Sequence, residues 1–437
     1  MSTLISFDGT ERSESEVHRP TNRKQLRALV DAHDQLAIRG SGLSYCLASG
    51  SPKSPSVSMR GLDRILDFDA EANTIRVETG LTVGALVRHL VSLDRWFPVL
   101  PGHPEITVGG CVAFNTHGKT QHDIGQMVDY VESFTLIHRD HGEIVCSPSD
   151  NAELFLLTVG GMGLTGWIVD VTLRVQPLRG GAISRTAHRA RDLVDAVEIM
   201  EDRSGDESHV YSWNDGNRRG KHFGRGVVYE ERFVDAPASS GQRYRVLRPE
   251  RRGRLLPFSG WTRLTTSLVN GAYFALESRR PTRTMGVLDA AFPINGKEGY
   301  FHAFGRPGFR EYQMIIPRDR WSEAVEEVRS LIASTKATIP LTSLKLFRGD
   351  RKHMWFIGDG VCLTLDGPAN ARTLALFAGL DQLAATMGGA VNLAKDSRIT
   401  AATSARVFPG YEGFKAELAA HDPHRRIDSA LRRRIDV

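Results

Sequence analysis

The sequence predicts an α+β protein of two domains. Three observations carry that expectation. The chain has 437 residues, beyond the size at which a single hydrophobic core stops growing. Its first half holds short alternating runs bounded by turn residues, which mark antiparallel strands. Its second half runs strand, helix, strand, strand, helix, the pattern of an antiparallel sheet backed by helices. A composition of 41% hydrophobic and 24% charged residues is ordinary for a globular protein and excludes disorder throughout.

Charge and thiol content exclude several classes. The formal net charge of +5 is modest, but basic residues crowd Arg218–Arg254 and the C-terminal HRRIDSALRRRIDV. Such patches suit nucleic acid, an anionic lipid surface or a phosphorylated substrate. Acidic residues interleaved at Glu230, Glu231, Asp235 and Glu250 favour a solvated face instead. No zinc-finger, RNA-recognition or basic-zipper pattern occurs, so no nucleic-acid partner is expected, and membrane contact is at most peripheral. Cys46, Cys111, Cys146 and Cys362 lack CxxC spacing, which argues against a zinc cluster or disulfide scaffold, and no metal is expected. Free thiols, an N-terminal MSTLISFDGTERSESEVHRP without an apolar h-region, and no bilayer-length apolar run together predict a soluble, cytoplasmic chain.

In order, Lys24–Ala32 has helical apolar spacing, and a brief strand at 36–38 runs into RGSGLSY. Strands are expected at 57–59, 65–68 and 74–79, then a helix at 82–93. Strands at 129–138 and 142–146 flank Asp140-His141 before Gly142, a hairpin signal. Asn151–Val159 reads as a capped helix ending in the glycine cluster 160–166, before a strand at 167–175. Pro177 and Gly180-Gly181 mark a domain edge. Beyond it come a helix at 192–200, a strand at 209–213, and a basic, glycine-dotted stretch to Ser259 read as mobile. Strands at 312–316, 343–347 and 361–365 alternate with helices at 320–333 and 371–387, the last closed by Gly388-Gly389.

The densest stretch is Leu100–Lys119, LPGHPEITVGGCVAFNTHGK. Glycine reaches positive φ and lets backbone pass close to something flat or anionic. Consecutive N–H groups can cradle phosphate oxygens. These residues fit either a loop against the pyrophosphate and ring of a flavin dinucleotide or a turn-rich link between strands. RGSGLSY is a second such place. It is not GxGxxG opening a helix, so a nicotinamide-type nucleotide fold is disfavoured.

Three glycine-rich stretches, at 39–45, 101–119 and 160–166, occur together with KDSR near the end. In combination they resemble the vanillyl-alcohol-oxidase (PCMH-type) superfamily of FAD-binding oxidoreductases. Within it the chain is most similar to the decaprenylphosphoryl-ribose 2′-oxidase family, through RGSGLSY, VLPGHPEITVGG…HGK, ELF…TVGGMGLTG, YQMIIP, LKLF and AKDSR. The resemblance implies a two-part FAD domain, residues 1–178, to which the C-terminal segment 393–437 returns, and a substrate domain, residues 179–392. It implies FAD held by Arg39, Gly40, Ser41, Gly42, Leu43, Ser44, Tyr45, Pro101, Gly102, Thr107, Val108, Gly109, Gly110, Asn115, His117, Gly118, Gly161, Gly163, Gly166, Ile168 and Lys395. Many superfamily members bind flavin covalently through a His where this chain has Leu43, or through an early Cys in the central loop. Leu43 cannot form that bond and Cys111 follows the paired glycine, so FAD is expected to be non-covalent.

The implied chemistry is oxidation of a secondary alcohol on a ribosyl or other sugar or nucleoside-type substrate, with hydride passing to flavin N5. Quinone or O2 would be the acceptor, and a partner ketoreductase would complete an epimerisation. Lys395, His117 and Tyr45 are the catalytic candidates. Lys395 either stabilises reduced flavin or accepts the alcohol proton, and His117 serves as base or positioning group. Trp213, Gln313, Lys345, Phe347 and Cys362 are the implied substrate-binding residues. Lys345 and Phe347 alternate along one strand and so share a face. The chain departs from the family at Cys46-Leu47, Ala291, Glu311 (in place of Gln), Gly360 and Asn392, which puts the prenylphosphoryl ribose itself in doubt. Rival readings are an alditol or aldonolactone oxidase releasing peroxide, and a non-catalytic flavoprotein or anionic-surface binder.

Overall fold

An eight-stranded antiparallel sheet roofs a cavity whose floor is built from N-terminal loops. The computed structural model describes residues 1–205, 208–236, 256–293 and 297–437. The eight strands run in the order Thr282–Gly286, Ala182–Ala190, Gly226–Val234, Ser208–Asn214, Leu341–Phe347, Gly360–Pro368, Phe309–Ile316 and Ala390–Val391. Two-residue periodicity decides which side chains meet the cavity. In Ser208–Asn214, Val210, Ser212 and Asn214 are buried while Tyr211 and Trp213 reach the cavity wall. In Leu341–Phe347, Leu344 and Leu346 are buried while Leu341, Ser343 and Lys345 line it. The sheet has a seam: Ser208–Asn214 and Leu341–Phe347 pair at Asn214↔Thr342 alone, and the Ser212 hydroxyl accepts from Leu344 N at 3.1 Å.

The helices Leu193–Arg203, Trp321–Thr335 and Ala371–Thr386 back this sheet. Trp321, fully buried, packs there and donates its indole N–H to Leu193 O at 3.2 Å. On the floor side, a five-stranded antiparallel sheet runs Gly142–Cys146, Val131–His138, Trp167–Arg174, Thr74–Glu78 and Ile65–Asp69. A smaller parallel sheet joins Val17–His18, Ser56–Ser58 and Ala37–Arg39. The tail returns to this side: Leu36 bridges Ile427, Asp428 accepts from Ser54 at 3.0 Å, and Arg434 pairs with Glu11 at 2.6 Å. One apolar cluster runs from Leu26 and Val57 through Trp321 and Leu344 to Leu431. The α+β class expected from sequence is the observed one. No helix among the described residues is long and apolar enough to cross a membrane.

The structure revises several local expectations. The stretch to Ser259 read as mobile contains the strand Gly226–Val234, in the interior of the large sheet; residues 237–255 lie outside the described residues. Glu231 in that strand is 2% exposed, not part of a solvated face. Leu100–Lys119 is not wholly loop, because Val108–Ala113 is a short helix with the Thr107 hydroxyl accepting from Gly110 N. Gly109 sits in that helix to admit the Thr79 side chain, 2.8 Å from where a Cβ would lie, and not for positive φ. Asn151 has φ of +53° and makes no cap bond; its amide donates to Val145 O.

Replacing Trp321 with Ala should lower unfolding free energy by about 3–5 kcal/mol, as removal of a large buried aromatic does. Urea denaturation followed by circular dichroism measures it, and a loss under about 1 kcal/mol would contradict this packing.

Candidate active site

The cavity has a volume of about 800 Å³. Its floor gathers all three glycine-rich stretches, which are spread over more than a hundred residues of sequence. Gly40, Ser41, Gly42, Leu43, Ser44, Tyr45, Pro101, Gly102, Thr107, Gly109, Gly110, Asn115, His117, Gly118, Gly163, Gly166, Ile168 and Lys395 all line it. Arg39, Val108 and Gly161 do not. The Arg39 guanidinium turns to Ser49, donating to its carbonyl and hydroxyl. Val108 faces the core of the five-stranded sheet. A Cβ at Gly161 would lie 2.1 Å from Leu157 O, so that glycine serves packing.

Two features of the floor fit a dinucleotide. A Cβ at Gly40 would sit 2.4 Å from Thr107 Oγ1, so bare backbone is required where the two loops meet. The Ser41 hydroxyl is buried on the wall with no hydrogen-bond partner. A buried orphan donor costs free energy unless something else satisfies it, and a phosphate oxygen would. Cys46 and Cys111 are buried and off the wall. Burial pushes both thiols up to about 12.

At the far end stands Lys395, on the loop after Ala390–Val391. Tyr45 N donates to Ala394 O at 2.8 Å, and Lys395 N to Asn392 O at 3.1 Å. The ammonium lies 3.6 Å from the Tyr45 ring centroid and 3.3 Å from Glu311 Oε1. Asp396, the sequence neighbour, pairs with Arg398 instead, at 2.9 Å. Beside Lys395, Asn392 Nδ2 donates to Gln313 Oε1 at 2.6 Å, and Gln313 Nε2 to Thr364 Oγ1 at 3.0 Å. His117 packs edge-on against Phe347, centroids 4.8 Å apart, with Nδ1 2.9 Å from Gly118 O. That contact fixes Nδ1 as the donor and leaves Nε2 as the acceptor. Burial, aided by the nearby Lys345 cation, lowers the His117 pKa to about 3. Burial also lowers that of Lys345.

Trp213, Gln313 and Lys345 line the cavity as expected of substrate-binding residues, but Phe347 and Cys362 do not. Both are buried in a cluster with Ile315, Phe356 and Ala390, and burial pushes the Cys362 thiol up to about 12. Sequence reasoning missed a second charged group on the roof. Glu231 is clamped by Lys119 at 2.9 Å and by Arg185, and accepts from Tyr211 Oη at 3.0 Å. Burial alone would raise the Glu231 carboxyl, but Lys119 and Arg185 outweigh it and hold it down to about 2. It also missed Asp366 and Tyr300, joined at 2.7 Å beside Glu311.

Comparison with known proteins agrees with this geometry. Residues 15–147 match the FAD binding domain family. The chain is 24% identical to the decaprenylphosphoryl-beta-D-ribose oxidase of Mycolicibacterium smegmatis, over 95% of this chain and 92% of that protein. It is 29% identical to an uncharacterised Streptomyces coelicolor protein over 82% of this chain and 100% of that one. It is 30% identical to a D-lactate dehydrogenase of Anaerostipes hadrus over 38% of this chain and 37% of the relative. The chain is an FAD-dependent oxidoreductase with a PCMH-type FAD-binding domain. Within that class it stands close to the decaprenylphosphoryl-ribose oxidase family.

Two expectations follow. Gly40→Ala should fold, because the clash meets a side chain, yet lose most of its FAD, read as the flavin-to-protein absorbance ratio at unchanged circular dichroism. On acidification the protein should lose stability in two windows. His117 titrates lower folded than unfolded, so its contribution is whole above about pH 6.5 and declines as pH falls toward 3. Glu231 behaves likewise from about pH 4.5 down to 2. Thermal midpoints from pH 8 to 3 should fall, and His117→Asn should flatten the upper window; a wild-type midpoint constant from pH 7 to 4 would contradict the assignment.

Proposed function

We propose that the protein oxidises a secondary hydroxyl of a ribosyl, other sugar or nucleoside-type substrate to a ketone, as the first half of an epimerisation that a separate ketoreductase completes. The observation that carries this reading is the convergence of Lys395, Gln313, Asn392, His117 and Lys345 at one end of the cavity that the FAD-binding loops line. The name of the Mycolicibacterium smegmatis relative, a ribose oxidase, supports it. FAD is proposed to sit non-covalently against Gly40–Tyr45, Gly102, Thr107–Gly110 and Gly163–Gly166, and would supply a two-electron hydride acceptor.

The chain's own groups have separable tasks. Lys395 contributes a fixed positive charge, held by Glu311 and the Tyr45 ring, where negative charge arrives with the hydride. Gln313, oriented by Asn392 and Thr364, and Lys345 present polar groups to sugar hydroxyls. Trp213, edge-on to Tyr273 at 4.6 Å, forms a side wall. His117 is neutral and offers one acceptor nitrogen. In this proposal residues 1–178 with 393–437 hold the cofactor and residues 179–392 the substrate. Ala291 and Asn392 on the wall favour a substrate other than the prenylphosphoryl ribose, whereas Gly360 lies off the wall, its bare backbone packed against Ile316 O.

Anaerobic bleaching of the flavin by pentosyl phosphates, nucleosides and alditols tests the reading, and no bleaching by any of them would sink it. Peroxide release in air against quinone-dye reduction distinguishes O2 from quinone as the acceptor. Lys395→Ala should keep its FAD yet reduce it at least about 10²-fold more slowly; unchanged reduction kinetics would remove Lys395 from the reaction.

A further inference from the structure

We propose that Glu311 takes the proton released by the substrate hydroxyl, with Asp366 and Tyr300 holding it as half of a proton-sharing acid pair. The proposal rests on the alcohol-oxidising reading above. Lys395 is an ammonium 3.3 Å from Glu311, and an ammonium has no lone pair to offer. His117 bonds Gly118 O through Nδ1 and also meets the Gln313 side chain, and its buried position between Phe347 and Phe356 and near Lys345 opposes a positive charge there.

Glu311 is differently placed. It lines the cavity, is 6% exposed, and its Oε1 accepts no hydrogen bond although buried; Lys395 Nζ lies near it but out of line. Directly across the sheet, in register, stands Asp366, 2% exposed and also on the wall, with an orphaned Oδ1. Its other oxygen accepts from Tyr300 Oη at 2.7 Å. Two buried carboxyls within hydrogen-bonding reach do not both ionise. Burial, then Glu311, pushes the Asp366 pKa well above the carboxylate range. Asp366 therefore keeps a proton on Oδ1 and presents it to Glu311, and the pair carries one negative charge. The groups facing it are Tyr300, Lys395, Tyr45 and, from the adjacent strand Leu341–Phe347, Lys345.

In the step, the substrate C–H bond breaks and its electron pair leaves as hydride to bound FAD. The O–H bond breaks, its proton passes to Glu311 Oε1, and the O–H electron pair closes the C=O bond. The substrate loses two electrons, the cofactor gains them, and the acid pair goes from one negative charge to none. Lys395 then has no carboxylate to balance and its charge is available to the cofactor.

The test uses FAD-loaded wild type, Glu311→Gln, Glu311→Asp and Asp366→Asn, each checked for FAD content and circular dichroism. Infrared spectroscopy near pH 8 should show a protonated carboxylic-acid C=O band in wild type that Asp366→Asn lacks; its absence from wild type overturns the shared proton. Anaerobic stopped-flow with ribose 5-phosphate, adenosine and xylitol reads flavin reduction. Glu311→Gln should reduce about 10²–10⁴-fold more slowly than wild type at similar KM, and be partly rescued by Glu311→Asp. Reduction of Glu311→Gln at the wild-type rate overturns the proton-acceptor role. Failure of all three probes to bleach wild type overturns the alcohol reading and that role with it, while the infrared band still decides whether the pair shares a proton.

Discussion

A single main-chain hydrogen bond, Tyr45 N to Ala394 O at 2.8 Å, joins the first glycine-rich loop to the tail of the chain, some three hundred and fifty residues away. Cys46 Sγ reinforces it by donating to Leu393 O at 3.2 Å. The join fixes the height of Lys395 above the Tyr45 ring, and Asn392 then sets the rotamer of Gln313 from the same loop. Side chains on rigid supports hold geometry better than those on free loops. Here a loop is made rigid by pinning both of its flanks.

Buried charge is concentrated at two places on the roof. Glu231 sits among Lys119, Arg185 and Tyr211, and Glu311 among Lys395, Asp366 and Tyr300. Each carboxylate costs desolvation, and each is balanced locally. The difference lies in what is left over. Glu231 is fully engaged by its partners, whereas Glu311 and Asp366 retain orphaned oxygens on the cavity wall. The first arrangement holds the sheet to the Lys119 loop; the second leaves chemistry to be done.

Much of the fold was legible because it obeys simple periodicities. The strands at 312–316, 343–347 and 361–365 and their two helices fall within a few residues of the observed bounds. The glycine stretches pointed to a shared site only through the family resemblance they carry, since by themselves they fit a turn-rich link as well. The strands Ala182–Ala190 and Gly226–Val234 were missed because AISRTAHRA and GVVYEERFV carry charges that suggest solvent. Those charges pair across the sheet, Arg185 with Glu231 and His188 with Glu230, a pairing that only tertiary structure reveals. The glycines of the central stretch suggested positive φ or close approach to a ligand, and at Gly109 the close approach is to Thr79. Phe347 and Cys362 lie on strands that do line the cavity, but two residues beyond Lys345 and Thr364, where His117 and Phe356 already close it. Strand alternation predicts a face and says nothing of where that face ends.

The seam at Asn214↔Thr342 has a mechanical meaning. A single ladder rung joins two plates of the roof there, and Ser212 Oγ, accepting from Leu344 N, ties them a second time. Trp213 rides on one plate and Lys345 on the other. The aromatic wall and the cationic hook therefore belong to different halves of the sheet, joined by one rung and by the Ser212 hydroxyl bonded to Leu344 N.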